Sequence, residues 1–87
     1  MNIQQLRYLR EIVRRDLNLT QAAAALHTSQ PGVSRQILEL EDELGIDIFI
    51  RKGRRIVGLT EPGKAALRIA DRMLHDLESL KRVAADF

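Results

Sequence analysis

Three polar side chains near the middle of the chain have the types and the spacing of a surface that reads DNA. Gln30 supplies an amide, Ser34 a small hydroxyl and Arg35 a guanidinium, and a helix through them would present all three on one exposed surface. Such groups hydrogen-bond to base edges in the major groove, where a guanidinium pairs with O6 and N7 of guanine. Since the same residue types also occur on ordinary solvated helices, the surrounding elements must decide between the two interpretations.

A helix–turn–helix pattern surrounds these residues between positions 19 and 45. Thr20 is a natural N-cap, and the alanine-rich segment after it predicts a short helix over about residues 20–27. His27 and Thr28 interrupt this pattern, and we expect His27 to be a turn residue rather than a ligand. The segment therefore predicts a small-residue helix that a neighbour can approach closely, followed by a tight polar turn.

The second helix of this pattern is predicted over about residues 30–44. Ser29 can cap it, Pro31 is tolerated in its first turn, and Gly45 suits the position just beyond its end. One face is apolar, because apolar residues recur at spacings of four, three and four: Val33, Ile37, Leu40 and Leu44. That face would pack on the rest of the domain and leave the polar face free.

The segments on either side complete a mostly α-helical winged helix–turn–helix. Periodic apolar residues predict a first helix over about residues 3–15. Isoleucines at 46, 48 and 50 alternate with other residues, which predicts a strand, and a return strand at 55–57 would follow a turn at Lys52 and Gly53. The predicted head is three helices and a two-stranded hairpin wing over residues 1–59. Within it, the helix–turn–helix would span about 19–38 and the wing about 46–58.

Thr60 and Pro62 predict the start of a last helix, which would form a separate linker unit over residues 60–87. About 25 residues of helix extend about 38 Å, farther than a three-helix head can cover. Apolar residues recur along it at alternating spacings of four and three, as in a coiled-coil seam: Ala66, Ala70, Met73, Leu77, Leu80, Ala84 and Phe87. We expect this seam to form a homodimer; the alternative is an amphipathic helix packed on its own head.

Composition limits the classes of protein to which the chain can belong. Its 87 residues are enough for one small domain, and a hydrophobic fraction of 45% argues against disorder. The absence of cysteine excludes disulfides and thiolate metal sites, and we expect no metal, no cofactor and no catalytic residue. No apolar run reaches the length of a membrane span and the first residues are unlike a signal peptide, so we expect a cytoplasmic protein without membrane contact.

Charge is distributed unevenly along the chain, although the net value is only +2 at pH 7. The segment RKGRR, from Arg51 to Arg55, holds four cations in five positions at the tip of the predicted wing. Acidic residues concentrate just before it: Glu39, Glu41, Asp42, Glu43 and Asp47. The basic tip favours a phosphate backbone as partner, while either run taken alone could be ordinary solvated surface.

The chain resembles the N-terminal DNA-binding domain of LysR-type transcriptional regulators over nearly its whole length. The most specific segments are TSQPGVSRQI in the turn and recognition helix, LEDELGIDIF before the wing, and TEPG at the start of the last helix. Within that family it is similar to the cysteine-regulon activators, the CysB-like branch. The opening QQLRYL, the segment HTSQPGVSRQ and a wing one residue longer than in most members carry this similarity.

The resemblance implies a bacterial transcription regulator that binds double-stranded DNA as a dimer, on an interrupted AT-rich palindrome. It also implies control of sulfur assimilation and cysteine biosynthesis genes. A full-length protein of this family could form a tetramer. A small-molecule inducer would act only through an effector domain that family members carry after this segment. No cofactor is implied.

Roles for individual residues also follow from the resemblance. The turn and the start of the recognition helix would hold phosphates through backbone amides and hydroxyls: Thr28, Ser29 and Gln30. Base contacts would come from Gln30, from Pro31 against a thymine methyl, and from Ser34 and Arg35, with Arg35 reading a guanine. The wing would add four further cations: Arg51, Lys52, Arg54 and Arg55. Either Arg54 or Arg55 would enter a narrow minor groove.

Two other classes of function compete with DNA binding. A helical protein-interaction or dimerisation module would use the same fold, but it has no need for the clustered cations of RKGRR together with Arg35. A small enzyme would need a nucleophile with its base, a glycine-rich phosphate loop or a set of metal ligands, and the sequence contains none of these patterns. DNA binding is therefore the function that the sequence favours.

Overall fold

The computed structural model describes residues 1–87 as four helices and one two-stranded sheet. The elements in chain order are α1 (Ile3–Arg14), α2 (Leu19–Ala25), α3 (Gln30–Leu44), β1 (Phe49–Lys52), β2 (Arg55–Leu59) and α4 (Glu61–Asp86). The predicted mostly α-helical winged helix–turn–helix with a long last helix is confirmed. None of the four helices combines the length and the apolar character that a membrane span requires.

The core of the head is aliphatic and forms where the helices and the hairpin meet. Apolar residues one helical turn apart on α1 and α3 face inwards, and α2 packs closely because its buried residues are alanines. Each larger side chain contributes about 1.5–3 kcal/mol by leaving water. The most fully buried side chains are Leu9, Ile12, Val33, Ile37, Leu40, Ile48 and Leu74.

The ends of α3 and α4 are those that the sequence predicts. Ser29 and Thr60 are the N-caps, and their side chains accept the N–H groups of Gly32 and Gly63 respectively. Gly45 closes α3 in the left-handed region with a φ of +68°. The residue types at these positions are sufficient to predict where the helices begin and end, because each cap residue bonds within its own helical turn.

The N-cap of α2 is Asn18, and the prediction of Thr20 is wrong. The side chain of Asn18 accepts the N–H of Gln21 at 2.9 Å, which places Leu19 and Thr20 in the first turn of the helix. Both asparagine and threonine are good caps, so their types alone do not decide between two positions this close. As a result the side chain of Thr20 is exposed.

Strand β1 begins at Phe49, later than the alternating isoleucines predict. Ile48 and Phe49 are both buried, so the alternation in the sequence is not an alternation of sheet faces. The N–H of Ile48 donates to the carboxylate of Glu41, on α3, and pairing with β2 begins only at Phe49, opposite Leu59.

The wing is an antiparallel hairpin with a turn one residue later than predicted. Lys52 pairs with Arg55, and Gly53 and Arg54 form the turn between them. Gly53 has a φ of +61°, a conformation that favours glycine and that explains its place at the tip. Arg54, the second residue of this turn, is exposed.

Helix α4 packs on the head with its first half and extends beyond it with its second half. Gly63, Ala70 and Leu74 are buried, whereas residues 81–87 are all exposed. Its 26 residues span about 39 Å, and the chain is accordingly elongated, measuring 50 × 26 × 21 Å. The alternative of an amphipathic helix packed on its own head therefore holds for the first half of α4, and the dimer seam stays a prediction.

Ala70 differs from the prediction that it lies on a dimer seam, because it is 2% exposed and belongs to the core of its own chain. An apolar repeat of three and four residues can be traced through more than one face of the helix. The face of α4 that packs on the head includes Ala70. Ala66 and Leu77 are half-buried and Ala84 is exposed. The large apolar residues that α4 leaves exposed form the α4 stripe: Ile69, Met73, Leu80, Val83 and Phe87.

Candidate nucleic-acid interface

The turn between α2 and α3 is fixed by a left-handed residue and by two backbone hydrogen bonds. His27 has a φ of +55° and donates its N–H to the carbonyl of Ala24 at 3.2 Å. Thr28 donates its N–H to the carbonyl of Ala23 at 3.0 Å. This is a Schellman helix end with histidine at the position that glycine usually occupies. His27 is therefore a turn residue, as predicted.

The first turn of α3 presents hydrogen-bond donors to solvent. Ser29 and Gln30 are exposed and Thr28 is half-buried. The hydroxyl oxygen of Ser29 accepts the N–H of Gly32 at 3.1 Å, which leaves the hydroxyl hydrogen available to an external acceptor. No acidic residue lies in this turn, so the positive end of the helix dipole is not offset by a carboxylate.

The amide of Gln30 is oriented by a residue of the preceding helix. The hydroxyl of Thr20 donates to Oε1 of Gln30 at 3.2 Å. With its oxygen engaged, the amide keeps its Nε2 hydrogens for a partner outside the chain. Thr20 is predicted as a cap, but α2 begins earlier, with Asn18 as its N-cap, and Thr20 instead contacts Gln30 from the first turn of the helix.

A groove of about 450 Å³ lies between α3 and the wing and brings together residues from both predicted contact segments. Its helix side is lined by Gln30, Pro31 and Ser34, and its wing side by Arg51 and Arg54. Arg35 is exposed on α3 directly after Ser34, outside the groove. A neighbouring depression contains Arg54, Arg55 and Gln30. The geometry thus joins polar helix residues and wing cations on one surface.

The cations of the wing fall into two groups. Lys52, Arg54 and Arg55 are exposed and take part in no ion pair within the chain. Arg51 is different, because its Nη2 lies 2.9 Å from Oε1 of Glu41 and its Nη1 lies 3.2 Å from Oε2. Three cations at the tip are therefore available to an anionic partner without any prior rearrangement.

Glu41 is the residue at this surface that sequence reasoning missed. It was grouped with the solvated acidic run, but it is 6% exposed. The signal was its spacing, four residues after Ile37 and four before Gly45, which places it on the apolar face of α3. No group of three or more histidine, aspartate or glutamate side chains is arranged to hold a metal ion.

Comparison with known proteins connects this surface to a family. The chain matches the model of the bacterial regulatory helix-turn-helix proteins of the lysR family over residues 3–64. It is 62% identical to the HTH-type transcriptional regulator SsuR and 58% identical to the HTH-type transcriptional regulator CysB, both of Burkholderia cenocepacia, over 87 residues. These alignments cover 100% of this chain, which spans 28% of the length of each of the two curated relatives.

Solved structures give the same assignment. The fold is similar to that of the BenM DNA-binding domain in its complex with catB site 1 DNA, with a TM-score of 0.89 and 31% sequence identity. That similarity covers 99% of this chain and 94% of the BenM chain. Since the family model covers most of the sequence and the fold agrees over its whole length, the chain belongs to the lysR family of bacterial regulatory helix–turn–helix proteins.

Proposed function

We propose that this chain is the sequence-specific DNA-binding domain of a LysR-family transcription regulator and carries no enzymatic activity. The groove in which Gln30, Pro31 and Ser34 of α3 face Arg54 of the wing is the observation that carries this proposal. Support comes from relatives that are named as HTH-type transcriptional regulators and from a similar domain in complex with DNA. Residues 1–59 would be the DNA-binding head and residues 60–87 the linker helix.

The start of α3 would be placed against the phosphate backbone at the edge of the major groove. Thr28 and the free hydroxyl hydrogen of Ser29 would donate to phosphate oxygens, aided by the helix dipole. Gln30, with its oxygen held by Thr20, would offer Nε2 to an acceptor on the DNA. These contacts set the register of the helix before any base is read.

Base readout would follow along the exposed side of α3. Pro31 presents apolar surface to a thymine methyl, and Ser34 offers a small hydroxyl in the same groove. Arg35 would pair with O6 and N7 of guanine, the contact with the greatest discrimination against other bases. The recognition helix therefore has both a positioning part and a reading part.

The wing would approach the adjacent minor groove. Lys52, Arg54 and Arg55 are the exposed cations that could neutralise phosphates there, and a narrow AT-rich groove attracts arginine through its enhanced negative potential. Either Arg54 in the turn or Arg55 at the start of β2 would enter the groove.

Dimerisation would use α4. The α4 stripe, together with Ala66, Leu77 and Ala84 of the predicted seam, leaves a continuous apolar surface that one chain does not cover. A second copy of the helix would bury it and would place two recognition helices for a two-fold-related site. A tetramer of the full-length regulator would need contacts outside this segment.

The regulated genes would be those of sulfur assimilation and cysteine biosynthesis, as in the CysB-like branch that the sequence resembles. An inducer would act through an effector domain elsewhere in the regulator, and the domain would work in the cytoplasm, where the DNA is. The high identity to regulators named SsuR and CysB supports this assignment.

A selection from a random-sequence duplex library tests the proposed function. The expected result is enrichment of a motif with two related half-sites around an AT-rich spacer. Selection with Arg35→Ala, the matched variant, should lose the preference for guanine at one position of each half-site. A folded chain that enriches no motif would contradict the proposal and would favour the protein-interaction alternative.

A further inference from the structure

The carboxylate of Glu41 is the most heavily bonded side-chain group in the head. Oε2 accepts the N–H of Ile48 at 2.7 Å, the N–H of Phe49 at 3.2 Å and Nη1 of Arg51 at 3.2 Å. Oε1 accepts Nη2 of Arg51 at 2.9 Å. A buried carboxylate with this set of partners is stable only while all of them are in place.

These bonds join three parts of the DNA-binding surface. Glu41 lies in the last turns of the recognition helix, and Ile48 and Phe49 lead into the wing. Arg51 lies on β1 just after an irregularity in strand register between Ile50 and Arg51. The extra residue of this bulge is Val57, on β2, and the side chain of Arg51 on the opposite strand reaches the helix. The next pair of residues, Lys52 and Arg55, already forms the base of the tip.

The side chain of Arg51 is thereby removed from the cations available to DNA. Two of its guanidinium nitrogens bond to Glu41 and the side chain is only 28% exposed. To bind a phosphate with the same nitrogens, Arg51 would have to leave a buried carboxylate without its counter-charge, which is strongly unfavourable. This distinguishes Arg51 from Lys52, its exposed neighbour.

We infer that Glu41 and Arg51 are a positioning pair that sets the distance and angle between the recognition helix and the wing tip, and that Arg51 makes no contact with DNA. The inference rests on the proposed function, because it assigns how the two DNA-contacting elements are held. Arg51 acts through Glu41, and Glu41 acts through the backbone of residues 48 and 49.

A double-mutant cycle in DNA binding tests this pair. The 87-residue chain and its variants Arg51→Met, Glu41→Gln and the double variant are titrated by fluorescence anisotropy against the duplex selected by the wild-type chain, at four salt concentrations. Thermal unfolding followed by circular dichroism establishes that each variant is folded. Lys52→Met is the matched control, since it removes an exposed cation one position away.

The expected result is that Arg51→Met weakens binding about tenfold in the wild-type background and less than about threefold in the Glu41→Gln background, as residues acting together are non-additive. The slope of log affinity against log salt should stay unchanged. In Lys52→Met that slope should become shallower by about 0.9, the value for one lost phosphate contact. A slope reduced to the same extent in Arg51→Met, with equal losses in both backgrounds, overturns the inference.

Arg51→Lys provides a second test that leaves Glu41 intact and is decisive even where Arg51→Met does not fold. A lysine keeps the charge but cannot form the two-pronged bond to a carboxylate. The positioning pair predicts affinity reduced about fivefold, whereas a direct phosphate contact would keep it within about twofold of wild type. Failure of the wild-type chain to select any duplex overturns the proposed function itself, whereas wild-type-like binding by Arg51→Lys overturns only the positioning pair.

Discussion

Gly63, in the first turn of α4, lies directly against the backbone of Ile48 at the entry to the wing. A Cβ atom at position 63 would overlap the carbonyl oxygen of Ile48 and would lie 2.8 Å from its carbonyl carbon. The same carbonyl oxygen accepts the backbone N–H of Thr60 at 3.0 Å. Ile48 is therefore bonded on one side to the linker helix and, through its N–H, to Glu41 of the recognition helix.

Gly63→Ala should destabilise the domain. The methyl group meets rigid backbone rather than a flexible side chain, so α4 must move, and overpacking of this kind costs about 1–3 kcal/mol. Thermal or urea unfolding followed by circular dichroism measures the loss. Gly58→Ala is the control, because a Cβ there meets only the Ile50 side chain at an ordinary 3.6 Å. Equal losses in both variants would show that the close approach is not the cause.

His27→Gly should stabilise the domain. His27 has a φ of +55°, and an L residue in the left-handed region costs roughly 1 kcal/mol more than glycine. We expect a higher midpoint of thermal unfolding for His27→Gly and no gain for His27→Ala, which keeps the Cβ atom. An unfolding midpoint that falls in His27→Gly would indicate that the imidazole makes a stabilising contact that outweighs the backbone conformation.

Arg35→Ala should remove base discrimination without affecting the fold. Its guanidinium is exposed and paired with no acid in the chain, so its loss leaves no buried group unsatisfied. We expect a loss of about 1–3 kcal/mol on the selected duplex and little change on a shuffled one. Lys81→Ala, an exposed cation in the second half of α4, should bind both duplexes as the wild type does. Equal losses on both duplexes in Arg35→Ala would assign Arg35 to phosphate instead.

Leu80→Asp should dissociate the proposed dimer. Leu80 is 65% exposed in one chain, so a carboxylate there is harmless to the monomer but would be buried and unpaired in a seam between two helices. Sedimentation velocity should show the mass of one chain. Arg82→Asp, on the opposite side of the helix, should keep the mass of the wild type. A Leu80→Asp chain that still sediments as a dimer would exclude this part of α4 from the interface. Leu77→Asp extends the test to a half-buried position.

Elements whose signals are local could be predicted from the sequence. Ser29, Gly45 and Thr60 act within their own helical turn, and the boundaries of α3 and α4 follow from them. Asn18 and Thr20 show the limit of such signals, because both residue types can cap a helix and the sequence does not show that Asn18 is the one that does.

Features set by contacts between distant residues could not be predicted. The segment that enters β1 is held by Glu41, which accepts the N–H groups of Ile48 and Phe49. The burial of Ala70 depends on how α4 lies on the head, since the repeat of three and four residues permits more than one face. Glu41 is an acidic residue at a position where the spacing along α3 predicts an apolar one. Its hydrogen-bond partners are visible only in the structure.

In the proposed function, the surface formed by the exposed side of α3, including Arg35, and the wing tip reads a DNA sequence. The most direct test is an anisotropy titration with the selected duplex and with a shuffled duplex of the same composition, each at two salt concentrations. We expect binding at least about a hundredfold tighter to the selected duplex, with affinity for both duplexes falling as salt rises. Equal affinity for the two duplexes at both salt concentrations, or no binding at low salt, would contradict it.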